Sequence, residues 1–358
     1  MFTPAVHSLT RYAVCAAVLA SAPFAASVSV AEPPMAAAGA YQVTARWKLA
    51  GAGGWDYVTM DAAHHRLFVT RGDRVEAVDT ENGKVVGKIA GTAGVHAVVL
   101  VPELKRGYTS NGKANSITEF DIETLAVLRE VPIAAVNPDA MVYVAAHRQL
   151  YVFNGKSRDL LVLDVDTLGL VRKVAMPDKP EFAQDDGHGH VFVNIESEKG
   201  QLVRIDTGTL AVDATWALPG CESPTGLALD RRHDRLFSVC DGKAMVVTDA
   251  KTGRQVARVA IGDGPDAAEF DQETGTVFVS NGDGSLTVIK QDSPDRYHVV
   301  ANVPTQKGAR TMTYDPTTRR AYVVTADFGP APAATPESPH PRPVPLPDTF
   351  TVLVAGPR

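Results

Sequence analysis

Seven short segments of this chain repeat one pattern. LFVT (67–70), GYTSN (107–111), LYVFN (150–154), VFVNI (191–195), LFSVC (236–240), VFVSN (277–281) and AYVVT (321–325) each carry an aromatic at the second position. Those aromatics are Phe68, Tyr108, Tyr151, Phe192, Phe237, Phe278 and Tyr322, at intervals of 40, 43, 41, 45, 41 and 44 residues. A second marker runs in parallel. Asp79, Asp121, Asp164, Asp206 and Asp249 close apolar runs at intervals of 42, 43, 42 and 43, and each leads into a turn and a further β-rich run. A sixth copy keeps the spacing but has Lys290 in the acid's place. A period of this length means an array of supersecondary units, so the 358 residues are not to be divided by an average domain size.

Each unit holds four β-like runs. The first is exemplified by VTMD or LALD, the second carries the aromatic, the third ends in the acid, and the fourth resembles VVGKIA or QVARVA. The turn NGDGS (281–285) between two such runs is a hairpin signal. Four antiparallel strands per 40–45 residues predict an all-β fold, a seven-bladed β-propeller of four-stranded antiparallel blades. Neighbouring blades cover each other's apolar faces, and each buried aromatic contributes roughly 1.5–3 kcal/mol. The seventh unit offers only three strands, TMTYD, AYVVT and TFTVLV (349–354). YQVTARWKLAG (41–51) reads as an orphan fourth strand, so the N-terminal strand is expected to complete the last blade and close the ring. Between the second and third strands of that unit lies FGPAPAATPESPHPRPVPLPD (328–348), with eight prolines, which predicts an extended loop insertion.

His7 and Arg11 precede the apolar Tyr12–Ala26, and Ser29-Val30-Ala31 supplies small residues for cleavage. This predicts a Sec-type signal peptide over 1–31 cleaved after Ala31, with a membrane anchor as the competing reading, a leader over 32–40, a propeller over 41–358, and a periplasmic or secreted protein. No segment of 41–358 is apolar enough for a transmembrane span. Processing removes Arg11 and no acid, so 34 basic residues face 41 acidic ones and the net charge moves from −6 to −7. That balance does not support nucleic acid as a partner. Two cysteines remain. Cys221 precedes the first strand of the fifth unit and Cys240 ends its second, so antiparallel pairing brings them together. A disulfide is expected, with two free thiols at a metal site as the alternative.

The segments LFVT, LYVFN and VFVSN, with the turns that follow the third strand, resemble the YVTN-repeat propellers, the exported YncE-like proteins of bacteria. The likeness covers about residues 41–358. It implies the seven-bladed fold and an exported location, and it leaves the reaction open because propellers of different function look alike at this level.

Propellers bind ligands at one mouth of the central channel, lined by the loops leading into the first strand and those between the second and third. Twelve residues before the aromatics stand Asp56, His96, Asp139, Thr225, Asp266 and Arg310, and eleven before Phe192 stands Glu181. Six of these seven are ionisable. Like charges crowded at one opening need compensation, from Arg310, a cationic ligand or a divalent cation. Three residues after the aromatics a second ring holds Arg71, Asn111, Asn154, Ile195, Cys240, Asn281 and Thr325. Its asparagines are expected to take positive φ in turns and to offer hydrogen bonds to a ligand. Trp55 could stack on a ring or cation there. His64, His65, His147, His188, His190 and His233 fall in turns on the opposite face, in different blades, and make no common metal site.

No G-x-S-x-G, H-E-x-x-H, phosphate-binding glycine loop or C-x-x-C-H is present. The expectation is a non-catalytic ligand-binding or scaffolding propeller taking a small polar or cationic ligand, or a periplasmic or envelope protein, with no catalytic residue assigned. The alternatives are a metal-assisted lactonase or hydrolase, and an interaction platform using the proline-rich loop.

Overall fold

The structure is a computed structural model that describes residue 1 and residues 41–335 and 343–358. The chain divides into two compact units, 1–37 and 38–358, and every described residue but Met1 belongs to the second. Apart from Met1, the expected signal peptide, its cleavage point and the leader lie outside the described residues, as do residues 336–342 of the proline-rich insertion. Among the described residues no helix is long and apolar enough to cross a membrane.

The repeat folds as seven four-stranded sheets. Blade 1 comprises β2 (Val58–Asp61), β3 (Arg66–Thr70), β4 (Arg74–Asp79) and β5 (Val85–Ala90); blade 2 comprises β6 (Val95–Val101), β7 (Arg106–Asn111), β8 (Ser116–Asp121) and β9 (Val127–Pro132). Blade 3 is β10 (Pro138–Val144), β11 (Gln149–Asn154), β12 (Asp159–Asp164) and β13 (Leu170–Ala175), and blade 4 is β14 (Lys179–Asp185), β15 (His190–Glu196), β16 (Gln201–Asp206) and β17 (Ala211–Ala217). Blade 5 follows with β18 (Glu222–Asp230), β19 (Arg235–Asp241), β20 (Ala244–Asp249) and β21 (Gln255–Ala260), then blade 6 with β22 (Pro265–Asp271), β23 (Thr276–Asn281), β24 (Ser285–Ser293) and β25 (Arg296–Pro304). Blade 7 takes β26 (Thr311–Asp315), β27 (Arg320–Thr325) and β28 (Thr351–Pro357), and β1 (Tyr41–Lys48) is its outer strand. β1 runs antiparallel to β28, from Tyr41 opposite Pro357 to Lys48 opposite Thr351, so the expected closure is present.

All seven aromatics are buried. Several reach the following blade: Phe68 meets Phe120 at 5.7 Å, Phe237 meets Phe270 at 5.1 Å, and Phe278 meets Tyr314 at 4.7 Å. Tyr108 also donates its hydroxyl to the Val165 carbonyl of blade 3 at 3.0 Å. The acids of the second marker have a local task. Asp121 Oδ1 accepts from the backbone N–H groups of Glu123 and Thr124, and Asp79, Asp164, Asp206 and Asp249 accept from their own turns. Such Asx turns fix the reversal into the fourth strand. The turn's left-handed position is filled by Gly83 in blade 1, where a Cβ would lie 2.2 Å from the Trp47 ring. Blade 6, with Lys290 instead of an acid, extends its outer hairpin through β24 and β25, and Lys290 donates to the Thr274 carbonyl.

Candidate functional site at the channel mouth

The side chains that differ from blade to blade sit where the inner strand begins. In blades 2 to 6 the pairing of the first two strands shifts at that point: between Val95 and Val98, Pro138 and Met141, Pro180 and Ala183, Pro224 and Leu227, and Pro265 and Ala267. His96, Asp139, Glu181, Thr225 and Asp266 each lie inside one of these irregularities. A bulge re-aims side chains that a regular strand would alternate. Asp56 lies just before β2 and Arg310 just before β26.

Three blades hold the next blade's mouth residue by its carbonyl. Ser110 Oγ donates to Asp139 O at 2.6 Å, Asn194 Nδ2 to Thr225 O at 2.9 Å, and Ser280 Oγ to Arg310 O. These donors stand two residues after the aromatic, a regularity that could have been found in the sequence.

The structure joins the predicted ring into local groups. His96 Nδ1 lies 2.5 Å from Asp56 Oδ2 and 3.7 Å from Asp139 Oδ1. Burial alone would lower the pKa of this imidazole. The hydrogen bond to Asp56, the charges of Asp139 and Asp56, and a hydrogen bond with Asn137 outweigh it and raise the value to about 9. Burial pushes Asp139 up to about 7, with the Asp56 charge adding to the effect and His96 and Lys179 opposing it. In blade 4, Lys179 stands between Glu181 and Glu196, 2.5 Å from Glu196 Oε2. Burial, then the charge of Asp139, raises Glu181 well above the usual carboxyl range. Lys179 is the compensating cation that counting from the aromatics missed, because it lies two residues before the counted position. Asp266 accepts from Thr311 Oγ1 at 2.9 Å and lies 3.7 Å from Arg310 Nε. Thr225 donates to Pro265 O at 3.2 Å.

The residues of the second ring are buried. Arg71 is fully buried, pairs with Glu76 at 3.0 Å, donates to Gly51 O and lies 4.2 Å over the Phe350 ring. Asn111, Asn154 and Asn281 are fully buried, and none has positive φ. They brace the second strand to the third: Asn111 to Thr118 Oγ1 at 2.8 Å, Asn154 to Asp159 Oδ1 at 2.9 Å, Asn281 to Thr287 Oγ1 at 3.0 Å. The turn explanation for these asparagines is therefore corrected. The Cys221–Cys240 disulfide is formed and ties the start of blade 5 to its second strand.

Beneath the ionic groups Tyr57 of blade 1 and Phe182 of blade 4 meet at 4.4 Å, so two rings bridge the channel axis. On the mouth side, a cavity of about 770 Å³ lies among blades 6, 7 and 1. Asp56, Asp266 and Arg310 line it, together with Trp55, Lys307, Asp327, Phe328, Pro343 and Pro345. The stem of the proline-rich insertion thus forms one wall. Gly329 N donates to Val344 O at 2.9 Å and Leu346 N to Asp327 O at 2.8 Å. Asp348 accepts from Gly51 N at 2.7 Å, and Trp55 packs on Phe328 and Phe350.

Among the described residues two groups have the donor types and spacing for a cation, Asp56–His96–Asp139 at the mouth and His190–Asp206–Asp213 in blade 4. In the second, Arg204 occupies both oxygens of Asp213, at 3.0 and 2.9 Å, and the turn N–H groups occupy Asp206 Oδ1. His64 and His233 pair with Asp61 and Asp230, the acids closing their own inner strands.

No curated protein matches the chain. Solved structures similar to it include Kuenenia stuttgartiensis hydrazine synthase, at 17% identity and a TM-score of 0.68 over 76% of this chain and 92% of that one. A chain of a mitotic checkpoint complex superposes at 12% identity and a TM-score of 0.71 over 96% of this chain and 98% of that one. At these identities the likeness is one of fold. Residues 37–189 match the model of the YNCE-like beta-propeller family. With seven blades in the ring, the fold implied by the repeats is present, and over residues 37–189 the chain is similar to the YncE-like β-propellers.

Proposed function

We propose that this protein is an exported, periplasmic propeller that holds a small polar or cationic ligand at its mouth and does no chemistry of its own. The observation carrying this reading is the cavity of about 770 Å³ between the ionic rim and the stem of the proline-rich insertion. Trp55 and Phe328 offer aromatic faces, and Asp56, Asp266 and Asp327 offer carboxylates against the two cations Lys307 and Arg310. A ligand with a positively charged group and a flat or aliphatic body suits such walls. Export is supported by the N-terminal signal-like segment and by a disulfide, which suits an oxidising compartment.

The test is thermal unfolding of the full chain against quaternary ammonium compounds, polyamines and amino acids. A true ligand at a hundredfold excess over its Kd adds about 2.7 kcal/mol of stability. Trp55→Ala and Asp266→Asn should each abolish that gain. If every compound leaves the melting temperature in place, the binding reading fails.

The second reading, a metal-assisted lactonase or hydrolase, is favoured by one observation, the imidazole of His96 held between two carboxylates at the same mouth. Lactone hydrolysis that a chelator abolishes would put it first.

A further inference from the structure

We infer that Asp56, His96 and Asp139 form a binding site for one first-row divalent cation, with an open coordination position on the side of the mouth cavity. The inference goes beyond the ligand reading and stands without any ligand in the cavity.

Three adjacent blades supply the donors, His96 and Asp139 from bulges and Asp56 from just before β2. The donor atoms lie within 4.8 Å of one another. Ligands around a tetrahedral ion with bonds near 2.1 Å are about 3.4 Å apart, so small side-chain adjustments close the group on a metal. One ring nitrogen, Nδ1, is turned to both carboxylates. The other, Nε2, lies over Gly112 beside Asn137: a Cβ at Gly112 would stand 2.5 Å from Nε2 and 2.9 Å from Asn137 Oδ1. An outer partner on the second nitrogen is how metal-binding histidines are oriented. Asn137 is itself placed by a backbone hydrogen bond to Asn115 Oδ1 at 2.9 Å.

A second observation comes from below the group. Tyr57 follows Asp56 in the chain, and its hydroxyl is buried with no hydrogen-bond partner. It lies within electrostatic reach of Asp139, Glu181 and Asp56. A buried hydroxyl left without a partner in the field of these carboxylates is consistent with an ion or its bound water completing the group.

The donor set selects the metal class. One imidazole with two carboxylates suits Mn²⁺, Fe²⁺ or Zn²⁺, whereas Ca²⁺ and Mg²⁺ favour all-oxygen sites. Exposure sets the direction of access. The Asp139 side chain is 8% exposed, that of His96 25% and that of Asp56 36%, so the group opens past Asp56 into the cavity. Three protein ligands and one open side are the arrangement of sites that bind an exchangeable oxygen ligand.

The experiment is calorimetric titration of the chelator-treated full chain with Mn²⁺ and Zn²⁺. One ion per chain is expected. His96→Gln and Asp139→Asn should weaken binding by more than about 100-fold, and Asn137→Ala by about 10–100-fold. Asp213→Asn, in the other acidic group, should leave it unchanged. No binding, or equal affinity in His96→Gln and Asp139→Asn, overturns the inference, as does loss on Asp213→Asn alone. Because the rim variants can disturb folding, the cobalt(II) absorption of the unaltered chain is the second measurement. Strong visible bands of a four- or five-coordinate ion support the site, and the weak spectrum of a hexaaqua-like ion overturns it.

Discussion

The seven aromatics and the seven mouth positions lie on the same repeat, eleven or twelve residues apart, yet the chain treats them in opposite ways. The aromatic position holds only Phe or Tyr, and all seven rings are buried. The mouth position holds Asp, His, Glu, Thr or Arg. Burial between blades presents the same problem at every turn of the ring, and one solution serves for all. The rim faces the axis, where neighbours must differ in charge to coexist: His96 between two aspartates, Lys179 between two glutamates, Arg310 against Asp266. Uniformity marks the positions that hold the ring together, and variety marks those where unlike charges must be paired.

Four variants press on that contrast, beginning with the largest expected effect. Phe237→Ala removes a ring packed on Phe270 and Tyr297 and should cost about 3–5 kcal/mol in chemical denaturation. Asp266→Asn at the rim should change stability by less than about 1 kcal/mol. Equal losses would erase the distinction. Blade 5 is the intermediate case, since its mouth position is the uncharged Thr225 and its rim is tied by Cys221–Cys240. Replacing both cysteines by serine should cost about 3 kcal/mol for a loop of this length, read from the urea midpoint. A pH profile tests whether charge stops at the rim. Glu269 lies on the inner strand β22, and burial raises its carboxyl from 4.5 to about 7, with only the Thr313 hydrogen bond opposing the rise. The folded state therefore binds this proton more tightly than the unfolded chain. Its contribution is fully present below pH 4.5 and is lost as pH rises through about 7, with a slope of at most about 1.4 kcal/mol per pH unit. Glu269→Gln should flatten the stability profile across that window.

The architecture was legible because it is written in periods. The spacing of the aromatics gave seven blades, and the unmatched runs at 41–51 and 349–354 gave the closure. The cysteine positions gave the disulfide by antiparallel pairing alone. The mouth was legible as a set of positions but not as a set of contacts. Counting back from Phe192 led to Glu181 and passed over Lys179, because a count along one strand does not know which side chain a bulge turns inward. The asparagines were misread for a related reason. Asn111, Asn154 and Asn281 look like turn residues in one dimension, whereas the third strand brings Thr118, Asp159 and Thr287 beside them. The bridging of the axis by Tyr57 and Phe182 joins blades 1 and 4, and no local pattern announces a contact at that separation.

The pairing of β1 with β28 has a consequence for how the molecule comes into being. Thr44 bonds to the carbonyl of Val354, 310 residues further on. Until β28 has been made, β1 has no mate, and the last sheet presents a bare edge able to recruit strands from other chains. Contacts this distant are the slow step of assembly. The nascent protein should therefore need shielding until its two extremities meet.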